Sequence, residues 1–294
     1  MSEPLLSVVI IAKKNTSLRF IDTLESIKNQ NYSPVKVVVV DINEQDSEYS
    51  LGLQEDLAVY KNIEYIKLDP SCPMAKIRNH MLECLESEYI AFLTANDTWN
   101  FNTAQTIIRE FEENPDINAV CMNGNLFDER KANILVEPLI ENEAYDYSKW
   151  IFYNPAKSSA QVVYRTEGIL DAGGFDEEFD CLCDADMLIR LGKKDGVLIK
   201  PEIMCECHIT DCLRDYERKL FTELKKIRIK YLDLYLQDRI MTQKFYEKMA
   251  ILSRKNYMWL DYIIYNVLRF INAPLKTLSM IIRKFSKLVL YIIL

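Results

Sequence analysis

The 294 residues are 49% hydrophobic and 27% charged, ample apolar material for a core, so intrinsic disorder and a disulfide-dense miniprotein are excluded. Seven glycines and nine prolines exclude collagen-like and linker-rich designs. The formal net charge of −8 hides a division: residues 214–294 hold 17 basic against 7 acidic side chains, and residues 1–213 hold 19 against 37. An acidic body is a poor nucleic-acid binder, because phosphate attraction supplies most non-specific affinity, whereas the basic remainder suits an anionic membrane surface.

Met1-Ser2-Glu3-Pro4 lacks a basic n-region, so no secretory signal is expected, and the eight cysteines read as reduced cytosolic thiols. Leu5 to Ala12 is a nearly continuous apolar run, the mark of a strand buried on both faces. Thr16 or Ser17 caps a helix with Phe20, Leu24 and Ile27 at helical spacing. Further strands are expected over Val35–Val40, Ile63–Leu68, Tyr89–Leu93 and near Asn118–Met122, with helices over about Pro73–Glu86 and Asn102–Glu112. This alternation predicts right-handed βαβ units in a three-layer sandwich. Such sheets bind ligands beyond the carboxyl ends of their strands, where Asp41, Asp69 and Thr94-Ala95-Asn96-Asp97 fall.

Residues 123–157 are less periodic, a long connection with a helix near Tyr147–Tyr153. Gln161–Tyr164 is strand-like, Asp171–Asp176 is a turn whose paired glycines supply positive φ, Asp184–Lys193 is helical and Val197–Lys200 is a short strand. From Asp211 the pattern is helical to the end, with Pro274 its only breaker. The chain has no G-x-G-x-x-G after its first strand, no Walker A loop and no G-x-S-x-G elbow, which removes the main support for dinucleotide, P-loop and serine-hydrolase readings.

An ordered series of motifs over residues 5–212 resembles the family 2 glycosyltransferases. Ser7-Val8-Val9-Ile10-Ile11 resembles the opening S-V-I-I strand, and Leu24-Glu25-Ser26-Ile27 through Gln30 to Tyr32 resembles L-x-S-[VI]-x-x-Q-x-Y. Val39-Val40-Asp41, Arg78-Asn79, Glu88 through Leu93 to Trp99, Gly173-Gly174-Phe175-Asp176-Glu177 and Asp184-Ala185-Asp186 through Arg190 follow in the family's order. The resemblance implies a GT-A fold, α/β and Rossmann-like with a mostly parallel central sheet, followed by a C-terminal helical extension. It divides the chain into a transferase domain over 1–212, with a nucleotide-binding half to about 122 and an acceptor half beyond, and a basic helical region over 213–294.

The activity implied is inverting transfer of a sugar from a nucleotide donor, usually a UDP-sugar, to a glycan or lipid-linked acceptor, in bacterial surface polysaccharide assembly. By resemblance Asp184 is the general base on the acceptor hydroxyl, and Asp186 and Arg190 hold the start of its helix. The weak hydroxyl nucleophile needs its proton taken as bonding develops, and the leaving diphosphate needs positive charge. Lys14, Asp41, Arg78, Asn96 and Asp97 are the expected donor contacts. Several positions depart from the family pattern: the metal-binding D-x-D is Thr94-Ala95-Asn96, Lys14 replaces an aromatic, Ile42 replaces a second Asp, and Cys183 replaces the acid before the base. The expected divalent cofactor, Mn²⁺ or Mg²⁺, is therefore left with Asn96, Asp97 and His208, a weakened set, and Lys13, Lys14 and Arg78 are expected to share its charge. A catalytically inactive scaffold or binding subunit is the alternative. The two C-x-C pairs (Cys181 with Cys183, Cys205 with Cys207) lack the usual zinc spacing and read as core thiols.

After Pro274, Leu278, Ile281, Ile282, Phe285, Leu288 and Ile292 share a helical face, with Lys276, Arg283, Lys284 and Lys287 outside it. Four cations interrupt the stretch too often for a spanning segment, so an interfacial helix is expected, peripheral on the inner face of the cell membrane. Packing on the chain's own body or in a homodimer is the competing use of that face.

Overall fold

The computed structural model describes residues 3–13, 17–128, 133–135, 158–194, 196–209 and 213–274. Contacts divide the chain into two compact units, Met1–Asp211 and Cys212–Leu294. The expected helix near Tyr147–Tyr153, Lys14 and the tail beyond Pro274 lie outside the described residues.

The first unit is built on a nine-stranded sheet. Strands β1 (Leu6–Ala12), β2 (Val35–Asp41), β3 (Ile63–Lys67) and β4 (Tyr89–Thr94) are all parallel, in the order β3-β2-β1-β4. The β-branched runs of β1 and β2 are buried on both faces, as in the interior of a parallel sheet. On one face Val8, Ile10, Val39 and Ala91 pack in a single core with Phe20, Leu24 and Ile27 of α1 (Ser17–Lys28), Leu53 of α2 (Glu48–Leu57) and Ile107, Ile108 and Phe111 of α4 (Thr103–Glu113). On the other face Arg78 of α3 (Met74–Cys84) lies over Phe92 of β4. Each fully buried aliphatic side chain contributes roughly 1.5–3 kcal/mol against unfolding.

Beyond β4 the sheet becomes mixed. β8 (Val162–Arg165) runs antiparallel to both β4 and β6 (Ala119–Asp128), and β6 pairs in parallel with the long β9 (Val197–Ile209). The two-residue β5 (Thr98–Trp99) closes the order against β9, and β7 (Asn133–Leu135) pairs with β6. The short strand expected over Val197–Lys200 is thus the start of a strand of 13 residues. Pro201 reads as a breaker because it cannot donate to a ladder, but it sits where the β6–β9 register slips, in a bulge that tolerates it. Among the described residues the unit has two further helices, α5 (Thr166–Asp171) and α6 (Cys183–Gly192).

The second unit contains α7 (Leu213–Lys230), α8 (Leu232–Gln237), α9 (Arg239–Lys255) and α10 (Trp259–Asn272). Pro274 is not the sole interruption: the helices part at Tyr231, at Asp238 and at Asn256–Met258. Asp238 caps α9 by accepting from the Ile240 and Met241 amides at 2.7 and 3.1 Å. Phe221, Tyr235, Phe245, Tyr246 and Tyr265 form a linked aromatic core. Among the described residues no helix is long and apolar enough to cross a membrane.

Candidate active site

The carboxyl ends of β1, β2 and β4 place Lys13, Asp41 and the Thr94–Asp97 segment along one rim of the sheet. Asp41 is fully buried there, and five donors consume its carboxylate. Oδ1 accepts from the Asn43 amide and side chain, both at 2.8 Å, and Oδ2 from Ser50 Oγ at 2.6 Å, Tyr65 OH at 2.8 Å and Lys67 Nζ at 3.1 Å. Burial pushes this carboxyl up, but the hydrogen bonds from Ser50, the Asn43 amide, Tyr65 and Lys67 outweigh it and hold the group below the usual carboxylate range. Asp41 therefore ties the loop after β2 to α2 and β3, and it offers no open oxygen to a donor.

Arg78 is also placed differently from the expectation that it meets a diphosphate. The side chain is 2% exposed, with its guanidinium packed against the rings of Phe92 and Phe175 at 5.0 and 5.1 Å. Local construction explains this. Pro73 gives α3 no side-chain cap, and Asp180 supplies one from another loop by accepting the Met74 amide at 2.6 Å. One turn on, Asn79 accepts from the Phe175 amide at 2.8 Å and donates to its carbonyl at 2.9 Å, which fixes Phe175 against the neighbouring arginine. Gly174 must precede Phe175 because its φ is +76° and a Cβ there would lie 3.0 Å from Asn79 Oδ1.

Arg78 is paired with Asp184. Nη1 donates to Asp184 Oδ1 at 2.5 Å, and Nη2 donates to Ser159 Oγ, which in turn donates to Asp184 Oδ2 at 2.8 Å. Tyr164 OH, on β8, donates to Oδ1 at 2.8 Å. The guanidinium thus grips one carboxylate oxygen directly and the other through a hydroxyl. Burial raises the Asp184 pKa, but the charge and hydrogen bond of Arg78, with Tyr164 and Ser159, bring it below the ordinary value. At neutral pH the group is a held carboxylate, with 12% of its side chain exposed.

Asp186, fully buried two residues on, accepts from Arg190 Nε at 2.9 Å, and Arg190 Nη1 donates to the Ala172 carbonyl at 2.7 Å. The pair clips α6 to the glycine turn.

Asn96 and Asp97 are both buried. Asp97 Oδ2 accepts from the Thr94 amide at 3.2 Å, Thr94 Oγ1 at 2.9 Å and Ser158 Oγ at 2.8 Å. Burial pushes this carboxyl up to about 6, against the pull of Ser158, Thr94 and the His208 backbone. The His208 ring stacks on Phe127 with centroids 4.7 Å apart, so its main chain, rather than its imidazole, is what meets Asp97. A divalent cation needs several converging anionic oxygens, but here the only carboxylate of the proposed set is spent on N–H and O–H donors. Among the described residues no group of three or more His, Cys, Asp or Glu side chains is placed to hold a metal. Asn96, Asp97 and His208 as placed do not fit the cation that the family pattern implies.

Sequence reasoning missed Ser158, Ser159 and Tyr164. The consecutive serines open a capped 3₁₀ turn, Ser159–Gln161, and join the two site carboxylates: Ser158 donates to Asp97 and Ser159 to Asp184. A tyrosine on an interior strand was the available signal, since its hydroxyl must find a partner.

A parallel sheet with polar groups at its rim, continued by a mixed half that carries a second carboxylate, is the GT-A arrangement. The chain belongs to glycosyl transferase family 2, whose model matches residues 7–164. Among curated relatives, an uncharacterized protein y4gI of Sinorhizobium fredii is 23% identical over 64% of this chain and 20% of its own length. An uncharacterized glycosyltransferase of Haemophilus influenzae is 24% identical over 57% of this chain and 55% of its own. The chain thus spans about a fifth and about half of these relatives. Among solved structures, residues 1–349 of S. aureus TarS superpose with a TM-score of 0.62 at 17% identity, covering 92% of this chain and 82% of that one. The same segment in complex with UDP-GlcNAc gives 0.59 at 14% identity, covering 90% and 88%.

Proposed function

We propose that this chain transfers a glycosyl residue from a UDP-sugar, with inversion, to a glycan or lipid-linked acceptor in surface polysaccharide assembly. The observation that carries this reading is the Asp184 carboxylate, kept ionised at the start of α6 by Arg78, Tyr164 and Ser159. The UDP-GlcNAc complex of the similar TarS segment supports a nucleotide-sugar donor. In the proposed step the acceptor oxygen bonds to the anomeric carbon, the bond from that carbon to the diphosphate breaks, and the acceptor proton passes to Asp184. Oδ2 is the receiving oxygen, because it has one neutral donor while Oδ1 is shared by Arg78 and Tyr164. A base of lowered pKa suits a late proton transfer, when the bonding hydroxyl has itself become acidic. Lys13 and Lys14 meet the leaving diphosphate, Asn96 lines the donor side, and Asp97 braces it.

The chain acts peripherally at the cytoplasmic face of the cell membrane, with residues 213–294 toward anionic lipid. A second reading, an inactive binding subunit, is favoured by one observation: Asp41, Asp97 and Asp184 are each satisfied by internal donors. Release of UDP from a panel of UDP-sugars, with and without acceptor, in Mn²⁺, Mg²⁺ and chelator separates the two. Turnover that Asp184→Asn abolishes supports the transferase. No turnover together with no calorimetric UDP binding establishes the subunit.

A further inference from the structure

α10 is packed the wrong way round for a helix in water. Its charged side chains face the protein: Asp261 accepts from Lys225 at 3.4 Å, and Arg269, 7% exposed, donates to Glu247 at 3.0 Å. Tyr265 lies against Phe221, Phe245 and Tyr246. The opposite face is apolar and open. Trp259, Leu260, Ile263, Ile264, Val267 and Ile271 are all between 45% and 72% exposed and recur at the spacing of one helical stripe. A surface helix normally shows the reverse pattern. A continuous apolar patch of this kind calls for an apolar partner.

The surrounding charge says which partner. Between residues 216 and 274 eight exposed side chains are cationic and one, Asp233, is anionic. Of the remaining acids Glu223 is buried, Glu217 pairs with Lys255, Glu247 with Arg269 and Asp261 with Lys225, and Asp238 caps α9. A second copy of this unit would bring one predominantly cationic surface against another, whereas a bilayer rich in anionic lipid supplies both an apolar interior and matching headgroups. At 14 residues the helix is about 21 Å long, shorter than the roughly 30 Å hydrocarbon core, so it lies along the surface.

We infer that α10 is a membrane-docking helix, seating its Trp259–Ile271 stripe at the headgroup boundary of an anionic bilayer. This deepens the membrane part of the reading above and is independent of the transfer chemistry. The test uses the full chain with vesicles of equal parts phosphatidylglycerol and phosphatidylcholine. Trp259 emission is expected to shift to the blue on vesicle addition and to be quenched by brominated lipid, a response absent from Trp259→Phe. Ile263→Glu with Val267→Glu is expected to weaken co-sedimentation about tenfold or more while leaving the melting temperature unchanged. Co-sedimentation unaffected by the glutamates, or no lipid quenching in the unaltered chain, overturns the inference. So does a blue shift that follows protein concentration without vesicles, which assigns the stripe to a second copy. UDP binding, measured on the same glutamate variant, tests the transferase reading separately.

Discussion

Asp97 and Asp184 are both buried carboxylates, yet their surroundings push them in opposite directions. Asp184 has a guanidinium at 2.5 Å, and Asp97 has only neutral donors, so desolvation dominates at Asp97. A native carboxyl raised from 3.8 to about 6 binds its proton more tightly than the unfolded chain does, so Asp97 costs stability as pH rises through that window. Asp97→Asn is expected to stabilise the protein by about 2 kcal/mol at pH 7.5 and by little at pH 4, read as melting temperature against pH. For Asp184 the sign reverses: its depressed pKa contributes stability present above the unfolded value and lost as pH falls through the folded one. Tyr164→Phe and Ser159→Ala each remove a donor to this carboxylate and so raise its pKa. If Asp184 is the base, the acid limb of kcat/KM for UDP-sugar turnover should move up by about one pH unit in each variant. An unmoved limb would assign these hydroxyls to packing alone.

The glycine turn and α3 together hold the arginine that fixes Asp184, so a change in the turn should be felt at the carboxylate through a partner 106 positions before it in sequence. Gly174→Ala forces a side chain to φ +76° and against Asn79 Oδ1, and is expected to cost about 1–2 kcal/mol in chemical denaturation. Arg78→Met leaves Asp184 buried without its cation and is expected to cost about 3–5 kcal/mol. The strands that support this site were legible because β1, β2 and β4 are nearly continuous apolar runs of strand length, the pattern of a doubly covered sheet. α2 was not, since Ser50 and Leu53 are its only buried side chains and so weak a stripe carries no helical period. The site was half legible. Motif order finds Arg78, Asp97 and Asp184, but not that Arg78 turns inward to pair, nor that Thr94 converts Asp97 from an open oxygen pair into an internal acceptor. Pairings across long separations have no local period to betray them.

Charge is distributed unevenly along the chain, with 37 acids among residues 1–213 and 17 bases among 214–294, and this has a consequence beyond any one contact. Attraction between exposed cations and anionic headgroups acts across solvent, where the Debye length falls from about 8 Å at physiological ionic strength to about 3 Å at 1 M salt. Buried pairs such as Arg78–Asp184 are screened far less, because little electrolyte reaches them. Raising sodium chloride from about 0.1 to about 0.5 M is therefore expected to lower affinity for phosphatidylglycerol-containing vesicles severalfold while leaving the melting temperature within about 2 °C. What binding remains at high salt should depend on the apolar stripe alone, so Ile263→Glu with Val267→Glu ought to remove it, whereas Lys226→Gln with Lys230→Gln ought to weaken binding only at low salt. Measuring co-sedimentation of the three proteins across the salt series separates the two contributions. If all three lose binding in parallel, electrostatics alone holds the chain to lipid, and the exposed face of α10 has another use.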